Sequence, residues 1–335
     1  MSREATLCGQ ITLQASVTGD VLPELLRLWF DQGFTQLAPE HRRELESGPT
    51  LPSEALRSDI PCGPPGSAWG FVKIERLSDG RSSKSARVFS ARSFSWFTGQ
   101  LAEPPFAAAL GTAVLDERGY PDTRPLQLEL YRDEDRPDWC RLLFEAPEAA
   151  LSAPGASRVW LGFLRKAADL ADPSFGLIDY QYELYGETAV ESTVGPPWLS
   201  WGEADETSRE FLRGYGWVTI LAQELADRLG GADALRRTGA FHEVELLARG
   251  GVWCLATPEY AQFGPEALLK VFTGLAPVLR PGTPRRFEKP RDIPHRVIYR
   301  DAADPGNSAP AAPAEIRPPG GKLVPDWAQG RRLGE

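Results

Sequence analysis

Residues 216–256 read GWVTILAQELADRLGGADALRRTGAFHEVELLARGGVWCLA, and their pattern decides the fold class. The opening GWVTIL is typical of a buried strand, and the leucines after it recur at helical spacing until the glycine pair at 230–231. Two further strands are predicted at 241–247 and 252–256. The glycine pair at 250–251 joins them, which is the signal of a two-residue hairpin turn. Trp217 on the first strand and Trp253 on the last are both expected to be buried.

A closing helix is predicted over 265–279, because Leu268, Phe272, Leu275 and Leu279 fall on one helical face. The resulting order of strand, helix, two strands and helix is typical of an open antiparallel sheet with helices on one face. The sequence therefore predicts an α+β protein with open, mainly antiparallel sheets. It leaves open whether the two halves of the chain are related.

The chain before residue 214 carries signals of both kinds. One helix is predicted from Leu22 to Phe30, where apolar side chains recur at helical spacing. A second helix is predicted at 157–171, and Pro173 follows its end. Alternation, or β-branched and aromatic content, predicts strands at 6–18, 69–77, 85–97, 126–132, 139–145 and 176–185.

Composition divides the chain into four parts. An α+β half at 1–193 is followed by a linker at 194–213 that is rich in proline, tryptophan and acidic residues. The segment at 214–283 is the β-α-β-β-α unit. Residues 284–335 are first basic and then rich in proline, glycine and alanine. Because this tail has no apolar period, we expect part of it to be disordered.

The charge of the chain restricts its partners. Its 335 residues carry a formal net charge of −9, with an isoelectric point near 5.1. Such a chain repels phosphates, so we expect no nucleic-acid partner. The same charge suits a basic protein partner, because complementary fields speed association. The oligomeric state does not follow from the sequence.

The four cysteines are far apart, so neither a redox nor a metal-binding pair is indicated. The N-terminal residues do not resemble a signal peptide, and no apolar run reaches the roughly 18 residues of a membrane span. We therefore expect a soluble, cytoplasmic protein with free thiols and no membrane partner. Cys140 and Cys254 belong to predicted strands and are expected in the core, whereas Cys62 is expected to be the most exposed thiol.

The sequence contains no recognised motif for catalysis, metal binding or cofactor binding. His41, His242 and His295 are far apart, and none has a second histidine or a cysteine at ligand spacing. Nucleophile elbows and phosphate-binding glycine loops are also missing from the sequence. We expect no catalytic residue, no metal and no cofactor.

Two acidic clusters are the best candidates for a binding surface. One lies in a predicted hairpin loop, and the other lies in the linker beside two tryptophans. A solvated acidic loop is the plainer interpretation, and a docking surface for a basic partner is the hypothesis we retain. The candidates are Asp133, Glu134, Asp135 and Asp138 in the loop, and Trp198, Trp201, Glu203, Asp205 and Glu206 in the linker.

Strand aromatics, helix-stop glycines and a helix end occur together within 214–283. They are Gly214-Tyr215, Trp217-Val218-Thr219, Leu229-Gly230-Gly231, Gly251-Val252-Trp253, Ala256-Thr257 and Leu275-Ala276-Pro277-Val278-Leu279. On these residues the segment resembles the type VI secretion immunity domain family of bacteria, formerly a domain of unknown function. The match covers about 70 residues, and the proline-rich tail after residue 300 departs from the family.

The resemblance implies a cytosolic protein that neutralises a toxin or secreted effector by binding it, with no catalytic residues to carry over. Two other interpretations stay open. One is an enzyme of unfamiliar type with a cleft between the two halves. The other is a structural or adaptor component of a secretion or contractile system. Because fold alone does not determine function, the surface residues must decide among the three.

Overall fold

The computed structural model describes residues 8–48, 56, 60–78, 80–121, 126–133, 135–181, 188–194, 207–286, 297–307 and 312–313. Within these ranges the chain forms open, mainly antiparallel sheets with helices, which confirms the predicted α+β class. The chain divides into two compact units, one ending at Ala171 and the other beginning at Asp172. None of the helices in the described ranges is long and apolar enough to cross a membrane.

The first unit is built on six strands in which every neighbouring pair is antiparallel. They are β1 (Cys8–Ser16), β2 (Ala68–Ser78), β3 (Arg81–Val88), β4 (Ala107–Val114), β5 (Leu126–Arg132) and β6 (Trp139–Pro147). Their order across the sheet is β3-β2-β4-β5-β6-β1. Since β1 pairs with β6, residues 8–16 are held in the sheet by a strand that lies more than a hundred residues further along the chain.

One face of this sheet is apolar, and helices pack on it. The helices are α1 (Leu22–Arg27), α2 (Gly33–Leu37), α3 (Pro39–Ser47), α4 (Ala91–Gln100), α5 (Glu148–Ser152) and α6 (Ala156–Ala168), with a π-helical turn at Leu28–Gln32 between α1 and α2. Phe144 on β6 meets Trp160 on α6 edge to face, with ring centroids 5.0 Å apart. Side chains of this face and of the helices form the core of the unit.

Gly33, at the start of α2, allows a close approach of helix and sheet. A Cβ atom at this position would lie 2.9 Å from a ring carbon of Phe163 on α6 and 3.0 Å from a methyl carbon of Leu128 on β5. Any larger residue would therefore force these packed side chains to shift. The helix predicted from Leu22 to Phe30 is confirmed as α1 and the π-helical turn that continues it. Its predicted apolar face is buried, with Leu22, Leu25, Leu26, Trp29 and Phe30.

The prediction of a strand over 85–97 is wrong in its second half, where the chain forms α4. Ser90 precedes this helix and makes a reciprocal cap with Ser93. The Ser93 backbone N–H donates to the Ser90 hydroxyl at 3.1 Å, and the Ser90 N–H donates to the Ser93 hydroxyl at 2.7 Å. Because the cap satisfies two backbone donors, the helix begins where alternation would continue a strand. Phe94 and Phe97, three residues apart, then share one buried face.

The second unit is built on four strands in the order β7-β8-β10-β9, and each neighbouring pair is antiparallel. The strands are β7 (Asp172–Gln181), β8 (Val218–Leu221), β9 (Glu243–Leu246) and β10 (Val252–Leu255). The helices are α7 (Ala189–Val194), α8 (Gln223–Arg228), α9 (Gly231–Arg237) and α10 (Pro265–Leu275), and a short parallel pair joins β11 (Arg285–Arg286) to β12 (Ala312–Pro313).

The predicted hairpin between β9 and β10 is confirmed, but its turn is longer than the predicted two residues. The Leu247 N–H donates to the Gly251 carbonyl oxygen at 3.1 Å, so residues 248–250 form the loop. Gly250 and Gly251 have φ angles of 114° and 83°, which side chains other than glycine rarely adopt. A Cβ atom on Gly251 would also lie 2.7 Å from the carbonyl oxygen of Leu221. This glycine is therefore required both for the turn and for the approach of β10 to β8.

Two tryptophans anchor the core of the second unit. Trp217 precedes β8 and is 0% exposed, and Trp253 on β10 is 2% exposed. The indole N–H of Trp217 donates to the carbonyl oxygen of Thr257 at 2.8 Å, and its ring meets Tyr260 edge to face at 5.6 Å. The expected burial of both tryptophans is confirmed.

Part of the predicted tail packs on the second unit. Val297 and Ala302 are buried. The Ile298 backbone N–H donates to the Tyr215 hydroxyl at 2.9 Å, and the Asp301 carboxylate accepts from the Gly282 N–H at 2.9 Å. Residues 297–307 therefore belong to the folded unit. Residues 287–296, 308–311 and 314–335 lie outside the described part of the chain.

Candidate functional site

The acidic loop between β5 and β6 is the predicted docking element that the structure describes. Within it, Asp133 is half-buried, and its carboxylate lies 2.5 Å from the guanidinium of Arg136. The backbone N–H of Asp135 also donates to this carboxylate, at 2.9 Å. Burial alone would raise the pKa of Asp133, but these donors outweigh it and hold the pKa below its usual value. Asp133 therefore organises the loop.

Asp135 and Asp138 of the same loop are exposed. The nearby cation Arg132 is occupied with backbone, since its guanidinium donates to the carbonyl oxygens of Pro137 at 2.6 Å and Pro104 at 3.0 Å. The loop thus uses its arginines to hold its own shape and presents carboxylates to solvent. Exposed carboxylates of this kind act mainly by attracting an oppositely charged partner.

The other six members of the predicted docking surface lie outside the described residues. They are Glu134 in the loop and Trp198, Trp201, Glu203, Asp205 and Glu206 in the linker. The structure therefore places Asp133, Asp135 and Asp138 on one loop of the first unit. The role of the linker cluster in docking stays a prediction.

The second face of the six-stranded sheet carries a row of charged and polar side chains that the sequence reasoning did not single out. The strand register sets Lys73 of β2, Ala109 of β4 and Glu129 of β5 side by side. In the next row, Glu75, Ala107, Tyr131, Arg141 and Gln14 are aligned in the same way. Small residues on β4 therefore leave room between cations and carboxylates from the flanking strands.

Glu129 is a carboxyl of this polar face whose pKa is strongly shifted. Burial raises its pKa to about 7, although Arg141, Gln127 and Lys73 each act to lower it. The Gln127 amide donates a hydrogen bond to the Glu129 carboxylate. A carboxyl that titrates near neutral pH beside two cations is the chemistry that acid–base sites use, and structural ion networks use it as well.

Glu75 links the polar face to its outer strand. Its carboxylate lies 3.7 Å from the ammonium of Lys73 and 3.5 Å from that of Lys84, and it accepts a hydrogen bond from the Ser82 hydroxyl at 2.6 Å. Desolvation lowers the pKa of Lys73, and the Glu75 carboxylate counteracts this shift. The polar face is therefore a connected network of opposite charges on neighbouring strands.

The thiols described by the structure are all buried. Cys140 and Cys254 lie in the core as expected, and burial raises the pKa of Cys140 to about 12. The expectation that Cys62 is exposed is wrong. Cys62 is 4% exposed and packs with Trp69, Ala113 and Leu115, because its proline-rich loop folds over an apolar satellite cluster. Burial also raises the pKa of Cys62, which disfavours its reactive thiolate.

An open groove of about 500 Å³ lies in the second unit, next to the start of α10. Its walls include Ala240, Pro258 and Pro265, and the side chains of His242 and Lys270 reach it. Lys270 pairs with Glu266 at 2.9 Å. A wide groove of mixed polarity suits a protein surface better than an enclosed small molecule. Across the described ranges, no three His, Cys, Asp or Glu side chains lie close enough together to hold a metal ion.

A regular signal for the polar face is present in the sequence. Along β5, Gln127, Glu129 and Tyr131 alternate with leucines, and β1 and β6 show similar alternation. Alternation identifies a two-faced strand, but it does not show that the polar faces of neighbouring strands coincide. That information comes from the register, which depends on pairings between distant parts of the chain.

Comparison with known proteins gives little. No protein-family model matches the chain, and no curated protein matches it significantly. Among solved structures, the chain is similar to a Pseudomonas aeruginosa T6SS protein, with a TM-score of 0.46 and 16% identity. The similarity covers 82% of this chain and 73% of the other. At this identity and TM-score, functional reasoning rests on the residues of the chain itself.

Proposed function

We propose that this protein is a non-catalytic immunity protein that binds and neutralises a cognate toxin or secreted effector. The observation that carries the proposal is the resemblance of 214–283 to the type VI secretion immunity domain family. It is a resemblance in structural residues, so the proposal assigns to this chain a mode of action, neutralisation by binding, and no active site.

The residues behind the resemblance act in the fold of the second unit. Trp217 and Trp253 fill its core, and Gly251 allows its hairpin to approach β8. Residues used in this way are not available to contact a partner. Recognition of a specific toxin would therefore depend on other surfaces of the chain.

The acidic loop supports a basic partner. Asp135 and Asp138 face solvent, while Asp133 and Arg136 hold the loop in shape. A preformed loop loses little conformational freedom on binding, and its charges attract a cationic surface. With a net charge of −9, the whole chain adds to this attraction.

Co-expression tests the proposal directly. The full chain would be tagged and expressed with each protein encoded beside its gene, and an unrelated acidic protein of similar size would serve as the control bait. We expect one neighbour to be captured in a fixed ratio and to lose its toxicity. Capture of no neighbour, together with turnover of a small molecule by the isolated chain, would favour an enzyme.

The polar face supports a second candidate function. Glu129, with a pKa of about 7 and with Lys73 and Arg141 nearby, has the environment of a general acid or base. If the chain is an enzyme, Glu129→Gln should abolish its turnover. Asp135→Asn should leave that turnover unchanged, because the acidic loop is separate from the polar face.

A further inference from the structure

The outer strand of the first unit is an exposed sheet edge. β3 is eight residues long and pairs only with β2 among the described residues. Most of its residues are exposed, and none is buried. An exposed edge of this length can accept an additional strand, because its outer backbone groups are ready to pair.

The register identifies which backbone groups point outward. The Phe89 N–H donates to the Gly70 carbonyl at 2.8 Å, so residues 89 and 70 form a hydrogen-bonded pair. Because such pairs alternate in an antiparallel ladder, the odd-numbered residues of β3 bond to β2 and the even-numbered residues face away from it. The Val88 carbonyl accepts from the Ser93 hydroxyl at 2.8 Å. Within the described ranges, the outward backbone groups of Ser82, Lys84 and Ala86 are left as the open edge.

The outer strand of the second unit, β9, differs from β3 because a side chain hydrogen-bonds to its outer edge. At β9, the guanidinium of Arg236 donates to the carbonyl oxygen of Val244 at 3.0 Å. Arg236 belongs to α9, which packs beside this strand. A side chain therefore occupies an outward carbonyl of β9, whereas in the described part of the chain nothing comparable covers the outward groups at 82, 84 and 86.

β3 is also locally basic in an acidic chain. Its sequence, RSSKSARV, contains Arg81, Lys84 and Arg87 and no acidic residue. Lys84 shares Glu75 with Lys73, and the Arg87 guanidinium stacks 3.8 Å above the Trp96 ring. The Lys84 side chain is nevertheless 58% exposed, and Arg81 and Arg87 are exposed as well. The cations are three residues apart along the strand.

A second copy of the chain is a poor occupant for this edge. The antiparallel register that uses Ser82, Lys84 and Ala86 of both copies places Lys84 opposite Lys84 and Arg81 opposite Arg87. No other register brings in an acidic residue, because the strand has none. Like charges directly opposite each other destabilise a strand pair.

We propose that β3 is a docking edge for an extended acidic segment of a partner protein, which adds as a strand and places carboxylates opposite Arg81, Lys84 and Arg87. Backbone hydrogen bonds to the groups at 82, 84 and 86 would supply affinity, and the cations would select for acidic sequence. The proposal does not require the partner to be a toxin, and this edge is separate from the acidic loop.

The test uses the full chain and two labelled synthetic peptides. One is a threonine peptide with glutamate at every third position, and the other has glutamine in place of each glutamate. We expect saturable binding of the glutamate peptide, at least about tenfold tighter than that of the glutamine peptide. Ala86→Pro removes an outward N–H without removing a bond to β2, and it should weaken binding about tenfold or more. Ala86→Val keeps this N–H and should bind like the unmodified chain.

Two double variants that remove the same number of cations distinguish the charge of the β3 edge from the overall charge of the chain. Arg81→Gln with Lys84→Gln removes two cations from the edge, and Arg43→Gln with Arg158→Gln removes two exposed cations from helices of the same unit. Only the first pair should weaken binding of the glutamate peptide. The proposal is overturned if the two pairs behave alike, if Ala86→Pro binds normally, or if no peptide binds. A dimer that Ala86→Pro dissociates would also overturn it in favour of a second copy.

Discussion

Glu129 shows that the environment of a residue in the folded protein can differ from what its neighbours in sequence suggest. It is one polar residue in an alternating strand, yet the register places it beside Ala109 and near Lys73 and Arg141. Burial opposes its ionisation more strongly than the cations favour it. The folded protein therefore binds the Glu129 proton more tightly than the unfolded chain does.

This difference predicts a pH-dependent stability. Because the pKa of Glu129 rises from 4.5 to about 7 on folding, its contribution is fully present below pH 4.5 and is lost as the pH rises through about 7. The loss should be on the order of 2–3 kcal/mol in the free energy of unfolding. Glu129→Gln should abolish this slope and exceed the natural chain in stability above neutral pH.

Urea unfolding across this pH range checks the prediction. The informative quantity is the difference between the unfolding free energies of the natural chain and the variant, because other titrating groups cancel in it. Glu40→Gln changes an exposed carboxyl on α3 and should show no such difference. A difference that stays constant between pH 4.5 and 7 would mean that Glu129 titrates normally.

The burial of Trp217 gives a second prediction at the scale of one residue. Its side chain is fully buried and donates to Thr257 at 2.8 Å. Trp217→Ala should lower the free energy of unfolding by about 3–5 kcal/mol, because it leaves a large cavity and an unpaired carbonyl. Thermal or urea unfolding measures this. A midpoint close to that of the natural chain would contradict the assigned packing of the second unit.

At the scale of elements, a turn, helix or strand was predicted correctly where the residues that determine it are close together in sequence. The hairpin at 250–251 was predictable because glycine alone tolerates its backbone angles. α4 was missed because residues 91–97 alternate like a strand, whereas the cap between Ser90 and Ser93 starts a helix there. β4, with the sequence AAALGTAV, has weak strand propensity and forms because β2 and β5 pair with both of its edges.

The cap at Ser90 can be tested by mutation. Ser90→Ala removes the hydroxyl that accepts from the Ser93 N–H, and it should cost about 1 kcal/mol of stability. Ser95→Ala, at an exposed position within the same helix, is the matched control and should cost much less. Equal losses for the two variants would show that the serine cap does not determine where α4 begins.

At the scale of the whole molecule, the sequence predicted the α+β class and the burial of Trp217 and Trp253, but not the arrangement of surface charge. The acidic loop was visible as a cluster, but its division into Asp133, which pairs with Arg136, and the exposed Asp135 and Asp138 required three-dimensional contacts. The polar face and the β3 edge likewise depend on strand register, which for the polar face includes the pairing of β1 with the distant β6.

Because Asp135 and Asp138 are the exposed carboxylates of the acidic loop, they should govern the rate at which the chain associates with a basic partner. Asp135→Asn with Asp138→Asn should lower the association rate and its salt dependence while leaving the fold intact, because exposed charges steer encounter. Glu40→Gln with Glu117→Gln removes the same charge from exposed positions elsewhere in the unit. Stopped-flow or surface binding at two salt concentrations separates these cases. Equal rates for the two pairs would reject the loop as the docking surface and leave the partner in place.

The central claim is that binding alone neutralises the partner, and a titration tests it most directly. The activity of the captured toxin would be measured against increasing amounts of the purified full chain. The account predicts that activity falls in proportion to added protein and reaches its minimum at a fixed stoichiometric ratio, with both proteins chemically unchanged. Complete inhibition at far below this ratio, with a modified toxin or a consumed small molecule, would contradict the account and identify an enzyme.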